Sequence, residues 1–238
     1  MQPPPLYEAD LIGIWEQGLG LPPARLALAL LAAEPDVDSA AAADWTVGER
    51  DSRLLELRER ALGPRLALVA TCPACEERVE ATLEVGDLRV EGGGSVEAEL
   101  HLDVSGRRLV ARLPTAGDLV AIEQAEDVES ARLDLLERCL LDSEGDLPDE
   151  HVVAAAAARM AEADPQADIR LALSCPACDA DWEEQFDPVS FFWQELDAWA
   201  LHLVRDVHEL ASAYGWSESD VLAVPPARRR LYLELAAE

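Results

Sequence analysis

Two cysteine pairs are the residues of this sequence whose type and spacing could perform chemistry. Cys72 and Cys75 lie in the segment TCPACEERVE, and Cys175 and Cys178 lie in the near repeat SCPACDADWE. A Cys-x-x-Cys turn lets two thiolates converge on one metal ion, and a tetrahedral ion needs four ligands. We therefore expect the four sulfurs to share one Zn²⁺ and leave no open position for water. Such a site cross-links the chain and does not catalyse a reaction.

The free energy of metal binding is large enough to drive this cross-link. Structural zinc contributes roughly 10 to 16 kcal/mol in small peptides at neutral pH. Closing a loop of about a hundred residues costs several kcal/mol. Zinc is therefore expected to determine the fold.

Two other uses of the cysteine pairs stay open at this point. A Cys-Pro-x-Cys pair can be a thiol redox motif, but that motif begins a helix, whereas strand-like sequence follows both pairs here. Disulfides are the second alternative, and the lack of a signal-peptide pattern at the start of the chain argues against an oxidising compartment. The fifth cysteine, Cys139, lies in an amphipathic segment and is predicted to be a buried free thiol.

No other arrangement of residues nominates a catalytic site. The four histidines do not form an HExxH motif, and GxSxG, Walker and GxGxxG motifs are absent from the sequence. With so many carboxylates, choosing two of them as an acid and a base would be arbitrary. We therefore predict a protein that is not an enzyme.

Composition and charge limit the remaining classes of function. The chain has 238 residues, half of them apolar, which is enough to bury a substantial core in one or two domains. The formal net charge is −29, from 48 acidic and 19 basic side chains, and such a surface repels a phosphate backbone. Nucleic-acid binding is therefore disfavoured. No apolar run is long enough to span a bilayer, so we expect no membrane span and a cytoplasmic location.

The first 64 residues are predicted to form helices separated by breakers. Apolar spacing indicates helices at Glu8–Leu19 and Ala24–Ala33, and an Ala/Asp-rich loop follows over Glu34–Asp44. A third helix begins near Trp45, with Asp51 as a candidate N-cap, and ends at Gly63-Pro64.

Residues 65–190 combine hairpins with an inserted helical part. Alternating residues predict strands at Leu66–Val69 and Val79–Val85 with the first cysteine turn between them. A second hairpin is predicted over Val96–Leu113, after a glycine turn at Gly92–Gly94 and with its own turn at Ser105-Gly106. Strand character returns at Ile169–Leu173, just before the second cysteine turn.

The other predicted helices lie within the insertion and at the C-terminal end. A capping box of Thr115 and Asp118 begins a helix, and further helices are predicted over Val128–Leu141 and Asp149–Ala163. Residues 191–238 are predicted to be helical, with a long helix that Gly215 terminates. The fold class expected from these elements is α+β: a split zinc ribbon of two hairpin turns with a helical insertion, flanked by N-terminal and C-terminal helices.

Three consecutive arginines lie where the field of a helix disfavours them. Arg228, Arg229 and Arg230 occupy the first turn of the last helix, where each cation costs up to about 1 kcal/mol. We expect compensation by carboxylates of the same chain, or by a contact with another protein.

The C-terminal sequence LASAYGWSESDVLAVPPARRRLYLEL resembles the signature of baseplate hub assembly proteins from T-even-type phage tails and related contractile injection systems. The resemblance lies in an L-A-x-x-Y-G-W-S-E-x-[DE] run that begins at Leu210 and contains Trp216. It continues in an R-R-x-x-Y-L helix, in which Arg228, Arg229 and Tyr232 are in register. Upstream, Gly48–Gly63 is similar to the family segment G-x-R-x-x-x-L-L-x-L-R, and Phe191–Leu196 to an F-F-x-x-E-L helix.

The resemblance covers most of the chain from about Leu6 onward and implies an assembly function. The expected protein is a cytosolic assembly chaperone or minor structural component of a baseplate hub, with hub or spike proteins as its partners. Candidate partner contacts are Trp216, Arg228, Arg229 and Tyr232, and core packing is the favoured explanation for the tryptophan. The alternatives are a zinc-ribbon adaptor in another protein complex and a thiol redox protein that uses the Cys-Pro-Ala-Cys pairs.

Overall fold

We analyse the protein as a computed structural model that describes residues 8–34, 37–90, 99–104, 107–143 and 150–237. The helices are α1 (Glu8–Gly18), α2 (Pro23–Leu31), α3 (Ser39–Ala43), α4 (Val47–Leu62), α5 (Ala116–Ile122), α6 (Val128–Cys139), α7 (Glu150–Ala163), α8 (Pro188–Tyr214), α9 (Glu218–Ala223) and α10 (Pro226–Ala236). The strands are β1 (Arg65–Thr71), β2 (Arg78–Glu84), β3 (Leu100–Val104), β4 (Arg107–Ala111), β5 (Leu140–Ser143), β6 (Arg170–Ser174) and β7 (Asp181–Gln185). This mixture of helices and small antiparallel sheets confirms the predicted α+β class.

The largest core lies between the N-terminal helices and α8. Leu30, Leu31 and Leu57 from the first helices pack with Phe192 and Leu196 from α8, and all five side chains are buried. The long helix α8 begins where the Asp187 carboxylate accepts hydrogen bonds from the N–H groups of Val189 and Ser190. It ends at Gly215, which adopts a left-handed conformation as predicted. Because α8 begins at Pro188, the predicted boundary at residue 191 falls inside this helix.

The predicted N-cap of α4 is wrong. Thr46 caps the helix, since its hydroxyl accepts a hydrogen bond from the N–H of Glu49. Asp51 lies one turn further on, where it is buried and paired with Arg50 at 2.7 Å. Burial raises the pKa of the Asp51 carboxyl to about 6 although Arg50 opposes the shift. The acidic residue therefore belongs to the interior and not to the helix end.

A second core belongs to the insertion between the two cysteine turns. Strands β3, β4 and β5 form an antiparallel sheet in that order. Leu100 and Leu109 of this sheet belong to one buried cluster with Leu136 of α6 and Val152 of α7. The predicted helix over Val128–Leu141 is wrong at its end, because the chain leaves the helix after Cys139 and pairs with β4 as strand β5. Strand pairing thus overrides a helical pattern that continued to Leu141 in the sequence.

The capping box before α5 is confirmed. The Thr115 hydroxyl accepts the N–H of Asp118, and the Asp118 carboxylate accepts the N–H of Thr115. Within the predicted loop over Glu34–Asp44, the described residues include the short helix α3, which Asp38 caps. The predicted turns at Gly92–Gly94 and Ser105-Gly106 lie outside the described residues.

Membrane-crossing helices are not found in the ranges given above. None of the helices there is both long enough and apolar enough to cross a bilayer.

Gly48 is expected to tolerate no side chain, because its Cα lies against a buried carboxylate. Its N–H donates to the Asp164 Oδ2 at 2.9 Å, and an added Cβ would overlap the Asp164 carboxylate. Gly48→Ala should therefore lower the free energy of unfolding by roughly 1 to 3 kcal/mol, measured by chemical denaturation. Gly13→Ala is the matched control, since nothing lies within 4 Å of its added Cβ and alanine favours the interior of α1. Equal stabilities for the two variants would contradict this account.

Candidate metal centre

The two cysteine pairs lie in equivalent six-residue turns of two hairpins. The first turn joins β1 to β2, because Thr71 pairs with Arg78. The second turn joins β6 to β7, because Ser174 pairs with Asp181. Each cysteine pair is therefore held at the end of a small antiparallel ladder, as the repeated sequence predicted.

Both turns have the same backbone geometry. In the first, the N–H of Cys72 donates to the Glu77 carbonyl and the N–H of Glu76 donates to the Cys72 carbonyl, each at 2.9 Å. In the second, Cys175, Asp179 and Ala180 repeat these two bonds at the same distances. Glu76 and Asp179, which follow the second cysteine of each pair, adopt left-handed φ angles of 61° and 58°. This conformation is unfavourable for side-chain-bearing residues, so both turns accept local strain in order to fold the cysteines back.

The four thiol groups converge on one point between the hairpins. The Sγ atoms of Cys72 and Cys178 are 3.7 Å apart, and those of Cys75 and Cys175 are 3.6 Å apart. All four sulfurs lie within 4.8 Å of one another. A tetrahedral ion with metal–sulfur bonds of about 2.3 Å places its ligands about 3.8 Å apart. The cluster therefore fits a four-coordinate metal ion, and all four predicted ligands are brought together.

The same distances and the neighbouring strands bear on the two alternative uses of the cysteine pairs. A disulfide needs sulfurs about 2.05 Å apart, and the four cysteines are free thiols. Neither pair begins a helix, because strands β2 and β7 follow the turns. The helix N-terminus that lowers thiol pKa values in Cys-x-x-Cys redox motifs is thus missing at both turns.

The environment of the cluster is asymmetric. Cys72 and Cys175, the first cysteine of each pair, are buried, and Val79, Ala180 and Trp182 pack around them. Cys75 and Cys178 are exposed. One side of the centre is therefore shielded by apolar groups, and the other faces solvent.

The sulfurs cannot all be ionised together without a cation. Burial acts to raise the pKa of Cys72, but N–H groups of Ala74 and Cys75 and the neighbouring thiols lower it to about 7. An N–H group of Glu77 acts to lower the pKa of Cys75, but the surrounding thiols, with Cys178 foremost, raise it to about 12. Because one thiolate suppresses ionisation of its neighbours, four thiolates require a positive ion at the centre of the cluster.

Arg58 fixes the first hairpin to the helices, a role that motif reasoning did not assign to it. Its guanidinium pairs with the Glu195 carboxylate of α8 at 2.6 Å and donates to the carbonyls of Gly63 and Arg65 at 2.5 and 2.7 Å. Arg58 is buried. One side chain of α4 thus links the start of β1 to α8, and the only sequence signal for it was its place in a family-like segment.

The predicted partner contacts divide into two groups. Tyr214, Trp216 and Tyr232 form an aromatic cluster with ring centroids 5.0 to 5.8 Å apart, which ties the end of α8 to α10. Arg229 is buried and makes a bidentate pair with Glu8 at 2.6 and 2.8 Å. The intramolecular compensation expected for the arginine run is therefore confirmed for Arg229. Arg228 is exposed, and a partner contact at this position stays a prediction.

Cys139 and the histidines lie outside the centre. Cys139 is a buried free thiol, as predicted, and burial raises its pKa to about 11. His101, His151, His202 and His208 are exposed, and none belongs to the sulfur cluster.

Comparison of the chain with protein-family models, with curated proteins and with solved structures finds no match.

Loss of one buried sulfur should remove the metal and destabilise the fold together. Cys72→Ser and Cys175→Ser are each expected to lose bound metal, measured by elemental analysis, and to broaden or lower the thermal unfolding transition. Cys139→Ser is the matched control, because it replaces a buried cysteine outside the cluster and should retain the metal. A Cys72→Ser variant with full metal content and normal unfolding would contradict a joint site.

Arg229 should contribute more to stability than the neighbouring exposed arginine. Arg229→Ala leaves the Glu8 carboxylate without its partner and is expected to cost roughly 2 to 4 kcal/mol of unfolding free energy. Arg228→Ala, one residue earlier in the same helix turn, should change stability by less than about 0.5 kcal/mol. Chemical denaturation of both variants compares them, and similar losses would show that the buried pair is not what holds α10.

Proposed function

We propose that the sulfur cluster binds one structural Zn²⁺ and that the two hairpins together form a split zinc ribbon. The observation that supports this most strongly is the convergence of four cysteine sulfurs from turns about a hundred residues apart. Four thiolates suit zinc or iron, and zinc gives a closed tetrahedral site without redox chemistry. Purified protein should contain about one zinc per chain and show no visible absorption, whereas an iron site would be coloured.

We infer that the metal-tied chain works as a scaffold in protein assembly and not as an enzyme. A closed site has no position for water or substrate, so its ion supports structure. The cluster joins two hairpins that flank the inserted sheet, and α4 and α8 pack beneath the hairpins through Leu55 and Phe191. A rigid body of this kind suits the presentation of a binding surface.

The partner class that we propose is the baseplate hub or spike of a contractile tail. Its support is the sequence resemblance in the C-terminal helices and in α4. A strongly acidic chain with a formal net charge of −29 is also suited to keeping an aggregation-prone partner in solution. A zinc-ribbon adaptor in another complex would have the same metal centre, so the two functions differ only in their partner.

Co-expression tests the partner directly. The chain is expressed with hub and spike proteins of a contractile tail, and soluble yield and co-elution on size exclusion are measured for each. We expect at least one of them to become soluble or to co-elute at a fixed ratio. Cys175→Ser should abolish this effect and Cys139→Ser should retain it. If no hub or spike protein responds, the tail function is excluded and the adaptor alternative is favoured.

A further inference from the structure

Strand β1 presents unused hydrogen-bonding groups along one edge. Its ladder with β2 is bracketed by the N–H of Val85 donating to Pro64 and the N–H of Cys72 donating to Glu77, both at 2.9 Å. Antiparallel residues alternate between bonding to the partner strand and facing away from it. Pro64 and Cys72 both bond to the β2 side, so the even-numbered residues between them face β2. Ala67 and Val69 therefore direct their N–H and C=O groups away from β2.

This edge is open over a short length. Among the described residues, β2 is the one strand that pairs with β1. At one end of the edge the Arg58 guanidinium donates a hydrogen bond to the Arg65 carbonyl, which is therefore not free to accept another strand. At the other end the cysteine turn begins at Cys72. The opening therefore spans about four residues, or about 13 Å of extended chain.

A groove of about 550 Å³ lies beside this edge. Residues 67–70 of β1 and residues 184–187, at and just after the end of β7, line it. Leu68 and Phe191 supply apolar surface inside it, and α8 continues the lining as far as Ala198. Open strand edges recruit extended segments by adding a strand, with side-chain pockets providing the specificity.

The charge of the groove selects among possible occupants. Glu184, Asp187 and Glu195 are its charged lining residues. Glu195 is paired with Arg58 and Asp187 caps α8, so the groove keeps a net negative charge chiefly through Glu184 and Asp187. The whole chain carries a formal net charge of −29, so a second copy would bring a like-charged surface against these carboxylates. A cationic segment would instead be attracted to the groove.

We propose that this groove binds an extended, cationic segment of a partner protein, which pairs with Ala67 and Val69 as an added strand. The segment would combine apolar residues, which suit Leu68 and Phe191, with arginine or lysine, which suits the groove carboxylates. This inference goes beyond the metal centre, and it does not depend on the partner being a tail protein.

A synthetic peptide tests the proposal on the purified full chain. The probe is a fluorescein-labelled peptide of four Arg-Val repeats, and its binding is followed by fluorescence anisotropy. Saturable binding is expected, and a peptide of four Glu-Val repeats should not bind. Amide hydrogen exchange should slow at least tenfold at Ala67 and Val69 when the cationic peptide is bound, while Leu68 and Ala70 are protected with or without it.

Val69→Pro removes one outward N–H and leaves the ladder with β2 intact, because proline is tolerated on the open side of an edge strand. This variant should weaken peptide binding at least tenfold, and Val69→Ala, which keeps the N–H, should change it less than twofold. The proposal would be overturned by any of three results: equal binding by Val69→Pro and the parent, unchanged exchange at Ala67 and Val69, or the absence of saturable binding. Exchange protection that rises with protein concentration in the absence of peptide would assign the edge to a second copy. Since the assay contains the chain and peptide alone, its result is independent of the co-expression test.

Discussion

The convergence of four sulfur atoms is the constraint on which the rest of the structure depends. Two hairpins that are distant in sequence must meet at 3.6 to 3.7 Å, and each hairpin alone offers only two ligands. The insertion between them has its own core, so it can occupy a separate part of the molecule without disturbing the ligands. An ion held by all four sulfurs would join the two hairpins.

Two buried arginines connect the helices to each other and to the first hairpin. Arg58 joins α4, the start of β1 and α8 through one guanidinium, and Arg229 joins α10 to α1 through Glu8. Each guanidinium satisfies several acceptors at once, which offsets the cost of burying a charge. Arg58 thereby ties the first part of α8 to β1, and Arg229 also approaches Asp206, further along α8, at 3.5 Å.

Short sequence patterns were sufficient to predict the cysteine cluster, but they did not predict features that depend on tertiary contacts. The repeated Cys-Pro-Ala-Cys turns, the Thr115 capping box and Gly215 each act within a few residues, so their sequence pattern was sufficient. The helix predicted through Leu141 failed because pairing with β4 is a tertiary effect that no local window contains. Asp51 was misassigned as a cap for a similar reason, since only the packed interior explains a carboxylate beside Arg50. The open edge of β1 was likewise invisible, because it depends on which strands are its neighbours.

The separation of the two cysteine turns has a consequence during synthesis. The first turn leaves the ribosome with half of the ligands, and the second follows only about a hundred residues later. At elongation rates of roughly 5 to 20 residues per second, the half-site waits on the order of 5 to 20 seconds for its complement. During that interval the nascent chain has one thiol pair without the other two ligands. This pair could bind metal prematurely or be oxidised, so the order of translation defines a period in which the first turn is chemically exposed.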